Sequence, residues 1–424
     1  MSRFIRSAGI AALLVSLFST STPAQKSFTW DEVKARFEKN NPTLKAGEIG
    51  IGESKANEIS AFLRPNPTLN ILTDGTQIAP YKGVWQPFAG TEEQIGASYL
   101  HERRNKRELR LESAKGATDI TVSGQADLDR NMIFALRGAF IGTLQAKAVL
   151  QVVKSNLEYW DKVLVISRER FNAGDIAQID LDRLELQRVQ FESDVQAAEV
   201  NLRTSKIALL TLLNDRTPID QFDVMGTYDF NEQLAPLDDF RKIATDTRPD
   251  LKEAVQAVEK AKTDHKLAVA NGSTDPTLSA WYTHNASFNS NYAHDTLGAS
   301  VNFPLRIFDR NQGEKLRTQL DIDRNQKLLD AAQAQVFSDV DSGYATINSN
   351  LILLHPYKVK YLDQAVRVRE TVRFAWEHGG ASLLDFLNAE QDYRSVQLNY
   401  VNLVGSYLMA AAQLNLAVGR EAIQ

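Results

Sequence analysis

Two hydrophobic periods share this chain. Leu69 and Ile71 alternate with Thr68 and Asn70, and Ile95, Ala97 and Tyr99 alternate with Gln94, Gly96 and Ser98. Farther on, Leu278, Ala280 and Tyr282 alternate with Thr277, Ser279 and Thr283, with Trp281 breaking the rule. Leu297, Ala299, Val301 and Phe303 then alternate with Thr296, Gly298, Ser300 and Asn302. A period of two sends the two sets to opposite faces of a strand. One face is apolar, and the other carries Ser, Thr, Asn and Gly where a soluble sheet usually carries Lys and Glu. That favours a membrane wall around a watery lumen, with a soluble sheet as the competing reading. The turns 79–90 and 285–295 are polar and aromatic, like exposed loops.

The second period is helical and long. No proline falls between Arg103 and Phe171, which as one helix would reach roughly 100 Å at about 1.5 Å per residue. A comparable stretch starts at Arg310, where Pro356 predicts a kink or break. Each long helix returns through a glycine turn, Asn172-Ala173-Gly174 and His378-Gly379-Gly380. The return helices carry seams in steps of three and four, from Leu181 to Leu212 and from Ala389 to Ala417, which is coiled-coil packing.

These elements occur twice. Asn41-Pro42-Thr43-Leu44-Lys45 corresponds to Arg248-Pro249-Asp250-Leu251-Lys252, and Pro67-Thr68-Leu69 to Pro276-Thr277-Leu278. Gly96-Ala97-Ser98 corresponds to Gly298-Ala299-Ser300, and Gly174 with Asp180–Glu185 to Gly379 with Asp385–Glu390. Landmarks kept in order indicate a duplicated unit. The first repeat spans 25–213, with a helix at Trp30–Leu63, strands at 67–78 and 93–102, and a helical hairpin at 103–213. A linker or equatorial segment, 214–236, leads to the second repeat, 237–424. There the helix is Leu237–Asn271, the strands are 276–286 and 296–304, and the hairpin is 309–418.

Composition sharpens this picture. With 424 residues, no cysteine and a net charge of −5, thiol chemistry, disulfides and a lipid-anchored cysteine are excluded, and a general nucleic-acid binder is disfavoured. Residues 1–24 read as an export signal: Arg3 and Arg6, an apolar run from Ile10 to Phe18, then small residues to Ala24. The apolar run is shorter than the roughly 20 residues a membrane helix needs. No other segment reads as a continuous apolar span. Four strands cannot close a barrel, and an open edge leaves backbone groups unsatisfied in lipid, so several copies must share one wall. Three copies give twelve strands, although two or four also give an even number. The expected class is mainly α with a transmembrane β part, built from antiparallel coiled-coil hairpins and four strands per protomer.

The chain resembles the TolC-like outer-membrane efflux proteins, most closely their CzcC-type heavy-metal branch. The resemblance covers essentially all of the chain after the signal and rests on Asn66-Pro67-Thr68-Leu69, Asn105-Lys106-Arg107-Glu108-Leu109-Arg110 and above all Val301–Gly313 at the second strand-to-helix junction. It implies a homotrimer with a twelve-stranded barrel in outer-membrane lipid and a periplasmic helical tunnel. It also implies a periplasmic adaptor (membrane fusion) protein and an inner-membrane pump of the resistance-nodulation-division type. Such families often gate with two carboxylates a turn apart and a nearby arginine. Here Asp385 is followed by Asn388, and Ala381 stands at the arginine's place.

Asp385 and Asn388 are therefore gate candidates, since symmetry turns one inward carboxylate into a cation-attracting ring. Asp180 and Asp182 occupy the matching place in the first hairpin. The three aspartates also suit a helix start, which favours Asp in any case. Gly174, Gly379 and Gly380 are candidates for adaptor contact, and reverse the chain whatever else they do. Tyr99, Trp281, Tyr282, Phe303 and the loop residue Phe288 are candidate membrane-interface aromatics. The basic cluster Arg103, Arg104, Lys106 and Arg107 reads as a collar on the periplasmic side of the membrane. No catalytic constellation, cofactor motif or paired-histidine metal motif is present. The leading function is an outer-membrane efflux conduit for small solutes, with metal cations as the expected cargo. The competing readings are a channel for drugs or proteins, a periplasmic coiled-coil adaptor or scaffold, and an exported enzyme on a helical scaffold.

Overall fold

The computed structural model describes residues 26–285 and 293–423. The expected export signal and Phe288 lie outside the described residues. The chain begins with strand β1 (Lys26–Phe28), then helices α1 (Trp30–Asn40) and α2 (Pro42–Phe62). The single helix expected over Trp30–Leu63 is thus two. Its counterpart divides in the same way, into α5 (Leu237–Thr247) and α6 (Pro249–Asn271). Proline has no N–H to continue a helix and pushes the residue before it to extended backbone. Accordingly Asn41 and Arg248 both adopt φ −69°, ψ 121°. Asn41 then caps α2, accepting from the N–H groups of Thr43 and Leu44.

Strands β2 (Thr68–Asp74), β3 (Glu92–Leu100), β5 (Thr277–Asn285) and β6 (Asp295–Asn302) form an antiparallel sheet in the order β2-β3-β5-β6. Two strands are shorter than their patterns suggest. β2 stops before Gly75, whose φ of +76° leaves the ladder, and β6 stops before Phe303-Pro304, where proline cannot donate. The register sorts the side chains into rows. Leu69, Ala97, Ala280 and Ala299 form one row of the apolar face, and Ile71, Ile95, Tyr282 and Leu297 the next. The opposite face carries Thr68, Ser98, Ser279 and Ser300, then Asn70, Gly96, Trp281 and Gly298. β2 and β6 are the outer edges, so one chain leaves this wall open.

Helix α3 (Lys106–Ala173) is 68 residues long and pairs with α4 (Gln178–Leu212). In the second repeat, α7 (Gln312–Pro356) gives way at Pro356 to a π turn over Tyr357–Tyr361, then α8 (Leu362–Glu377) and α9 (Leu383–Val418). Both α3 and α9 contain an 18-residue stretch of mean hydropathy 1.3, long and apolar enough to cross a bilayer. In this fold those helices pack against other helices, α3 on α4, α6 and α2 and α9 on α7 and α8.

Residues 214–236, expected as a linker or equatorial segment, are fastened to the helices. Strand β4 (Phe222–Val224) pairs parallel with β1, and all three of its residues are buried. Its Asp223 meets Lys206 at 3.2 Å and Lys147 at 2.5 Å. Tyr228 donates to the Val401 carbonyl at 2.8 Å, and Phe230 packs edge-on to Tyr407.

Candidate functional site

The tip of the two hairpins is built by the same local rule twice. At the end of α3, Gly174 takes φ +83°, and the Asp175 N–H reaches back to the Arg170 carbonyl at 2.9 Å. At the end of α8, Gly379 takes φ +76°, and the Gly380 N–H reaches back to Ala375 at 2.7 Å. A left-handed residue followed by a six-to-one bond is the Schellman way of closing a helix, and glycine meets it without strain. In both turns nothing lies within 4 Å of a Cβ added at the first glycine. All three candidate contact glycines therefore sit at the extremity of the hairpins.

The return helices start differently. Ser382 caps α9 with a full capping box. Its hydroxyl accepts from the Asp385 N–H at 3.1 Å, and the Asp385 carboxylate accepts from the Ser382 hydroxyl and N–H at 2.7 and 3.1 Å. The Ser382 hydroxyl bond, followed by its backbone N–H, holds the Asp385 carboxyl below the usual carboxylate range. Asp385 stays an exposed anion, and exposed Asn388 follows one turn later on the same face. In the first hairpin Ala177 stands at the cap position and offers no side-chain bond. Asp180 lies in the first turn of α4, and Asp182 accepts from Gln178 at 2.7 Å.

Behind the tip, aromatic rings tie the hairpins together. Trp160 of α3 stacks on Phe191 of α4 at 5.0 Å and on Phe386 of α9 at 6.0 Å, and Phe386 stacks on Trp376 of α8 at 4.6 Å. Trp160 is fully buried and donates from Nε1 to the Leu184 carbonyl at 3.0 Å. Arg394 of α9 pairs with Asp194 of α4 and covers the Phe191 ring. Sequence reasoning had missed this stack. Its members are separated by up to 226 positions, and they stand at different distances from the two glycine turns, so no local pattern marks them.

At the other end, Tyr99 and Tyr282 lie on the apolar face of the sheet, and Phe303 is half exposed just past β6. Trp281 does not join them. It falls on the polar face between Gly96 and Gly298, and a Cβ at Gly298 would lie 2.4 Å from the indole. The two glycines leave room for the residue, so Trp281 lies on the polar face of the sheet, opposite Tyr99 and Tyr282. Below the sheet, Lys106 of the basic cluster is buried against Asp275 at 2.6 Å and the Ser273 carbonyl at 3.0 Å. Among the described residues no group of three His, Asp or Glu side chains could hold a metal ion. His284 instead bonds Asp295 at 2.8 Å.

Residues 241–420 match the family model described as outer membrane efflux protein. The cobalt-zinc-cadmium resistance protein CzcC of Cupriavidus metallidurans is 20% identical over 390 residues, covering 90% of this chain and 87% of that protein. Among solved structures, CusC superposes with a TM-score of 0.79 at 17% identity over 92% of each chain. The open-state MtrE channel of Neisseria gonorrhoeae gives 0.71 at 16% identity, covering 92% of this chain and 89% of that one. The second repeat thus matches the outer membrane efflux protein pattern, and the whole chain has the fold of these solved channels.

Proposed function

We propose that the protein is the outer-membrane channel of a tripartite efflux system, a passive conduit whose barrel sits in the outer membrane and whose helices extend into the periplasm. One observation carries the reading. A four-stranded sheet with an apolar face, a small polar face and two open edges stands on helical hairpins far longer than a globular core requires. A wall of this kind is stable in lipid only when copies close it, and the polar face then lines water. Three copies supply twelve strands, and the glycine turns at the far end are the docking surface for a periplasmic adaptor linked to an inner-membrane pump. Metal cations are the proposed cargo, supported by the likeness to a cobalt-zinc-cadmium resistance protein. The chain's own part is a path, and a partner supplies the driving force.

Membrane fractionation, a gel with and without heating, and planar-bilayer recording test this reading. The expected result is a heat-sensitive trimer in the outer membrane with stable conductance. A soluble periplasmic monomer would refute it and favour the adaptor reading. A deletion strain tested against divalent and monovalent metals and against drugs then decides cargo, with sensitivity to drugs alone overturning the metal assignment.

A further inference from the structure

Glu390 is a deeply buried carboxylate that its surroundings accommodate poorly. It sits on α9 just above the aromatic stack and is 4% exposed, and its Oε1 has no hydrogen-bond partner among the described residues. The groups facing it come from every neighbouring helix. Tyr159 of α3 has a buried, unpartnered hydroxyl. From α8 come Arg369, Glu370 and Arg373, from α9 Tyr393 and Arg394, and from α4 Asp194 across a cavity of about 420 Å³ that Glu390 also lines. Each nearby guanidinium is already engaged. Arg369 bonds Glu370 at 2.7 Å and lies between the rings of Tyr159 and Tyr393, at 4.5 and 3.9 Å. Arg373 pairs with Glu370 and Glu377, and Arg394 with Asp194. Arg369, Arg373 and the nearby Tyr159 hydroxyl favour a charge on Glu390, but Oε1 makes no well-formed hydrogen bond and burial outweighs their pull.

The helix that closes over this site buries few side chains deeply. Of the sixteen residues of α8 only Trp376 is buried, and the π turn at Tyr357–Tyr361 separates α8 from α7. Irregular turns of this type interrupt the helical ladder and localise bending. Trp376 and Arg369 are the two side chains by which α8 grips the stack and the Tyr159–Tyr393 pair.

We infer that Glu390 is a proton-binding site that sets how firmly α8 is clamped to the first hairpin. With the proton on, the neutral carboxyl fills the interior and α8 stays seated. With the proton off, the anion draws water through the adjoining cavity, and α8 loosens about the π turn. Burial pushes the Glu390 carboxyl up to about 7 from an ordinary 4.5, against the pull of Arg369. A carboxyl that binds its proton more tightly when seated favours the seated state at low pH. That preference is lost as pH rises between these two values.

Hydrogen exchange on the full-length protein in detergent, corrected for intrinsic rates, tests this without reference to conduction, so it stands apart from the channel assignment. Between about pH 5.5 and 8, opening of amides in 362–377 should rise about 30-fold if Glu390 becomes fully solvated, with no such rise in α1. Glu390→Gln should remove the rise and keep α8 protected at both pH values. Glu390→Met serves the same purpose if the Gln variant does not fold. Wild-type α8 with no pH response beyond that of α1, or an unchanged response in Glu390→Gln, would overturn the proposal.

Discussion

Removing the indole of Trp160 should loosen both hairpins at once. The side chain is fully buried, stacks on two rings from two other helices and donates one hydrogen bond to the Leu184 carbonyl. Truncating a buried tryptophan to alanine costs about 3–5 kcal/mol, because transfer energy and an incompletely collapsed cavity add. Trp160→Phe keeps a ring for both stacks. It leaves a void of roughly 40 Å³, worth about 1 kcal/mol at ~24 cal/mol per Å³. The lost bond adds about 0.5–1.5 kcal/mol, since the Leu184 carbonyl still has its own helical partner. The expected series is therefore near zero for wild type, about 1.5–2.5 for Phe and about 3–5 for Ala. Hydrogen exchange reads it as lost protection in residues 157–191 and, equally, in 376–390. Protection lost only in α3 and α4 would refute the coupling through this ring, which joins the hairpins beside the Arg394–Asp194 and Arg369–Tyr159 contacts.

Three further outcomes follow from positions described above. Asp385→Ala should raise single-channel conductance or weaken cation preference in planar bilayers, and unchanged conductance and selectivity would reduce Asp385 to a helix cap. Gly379→Ala should cost about 1–2 kcal/mol from left-handed backbone strain alone. Gly380→Ala, at ordinary φ and 3.5 Å from the Ala375 carbonyl, should be close to neutral in a thermal melt of the assembled protein. Lys106→Met leaves the mostly buried Asp275 with the Arg103 N–H but no paired cation and should cost about 3 kcal/mol. The yield of heat-resistant oligomer should then partly recover in the double variant Lys106→Met, Asp275→Leu.

Much of the fold is legible from local pattern because its elements are long and two-faced. Alternation at Ile95, Ala97 and Tyr99 places a strand without any knowledge of its neighbours, and Gly174 and Gly379 announce their turns. Failures arise where the deciding partner is distant. Trp281 breaks the alternation, and only the register that sets it between Gly96 and Gly298 explains why a large ring fits the polar face. The breaks at Pro42 and Pro249 were readable, since proline opens each second helix, yet sustained helical pattern on both sides hides a single extended residue. At the tip, the capping of Asp385 by Ser382 is local and visible as a Ser-x-x-Asp spacing. The Glu390 site is not visible, because its neighbours come from four helices and its character is burial that outweighs them.

The unequal edges of the sheet have a genetic consequence. β2 and β6 differ in sequence, so in the proposed trimer copies would join head to tail, and the wall would exist only when the ring closes. A subunit that folds but cannot offer one edge would enter assemblies and leave them incomplete. In a cell making equal amounts of sound and defective chains, about one ring of three in eight would be intact if mixing is random. An allele with proline in the middle of β6 should therefore be dominant, whereas an allele that never folds should be recessive.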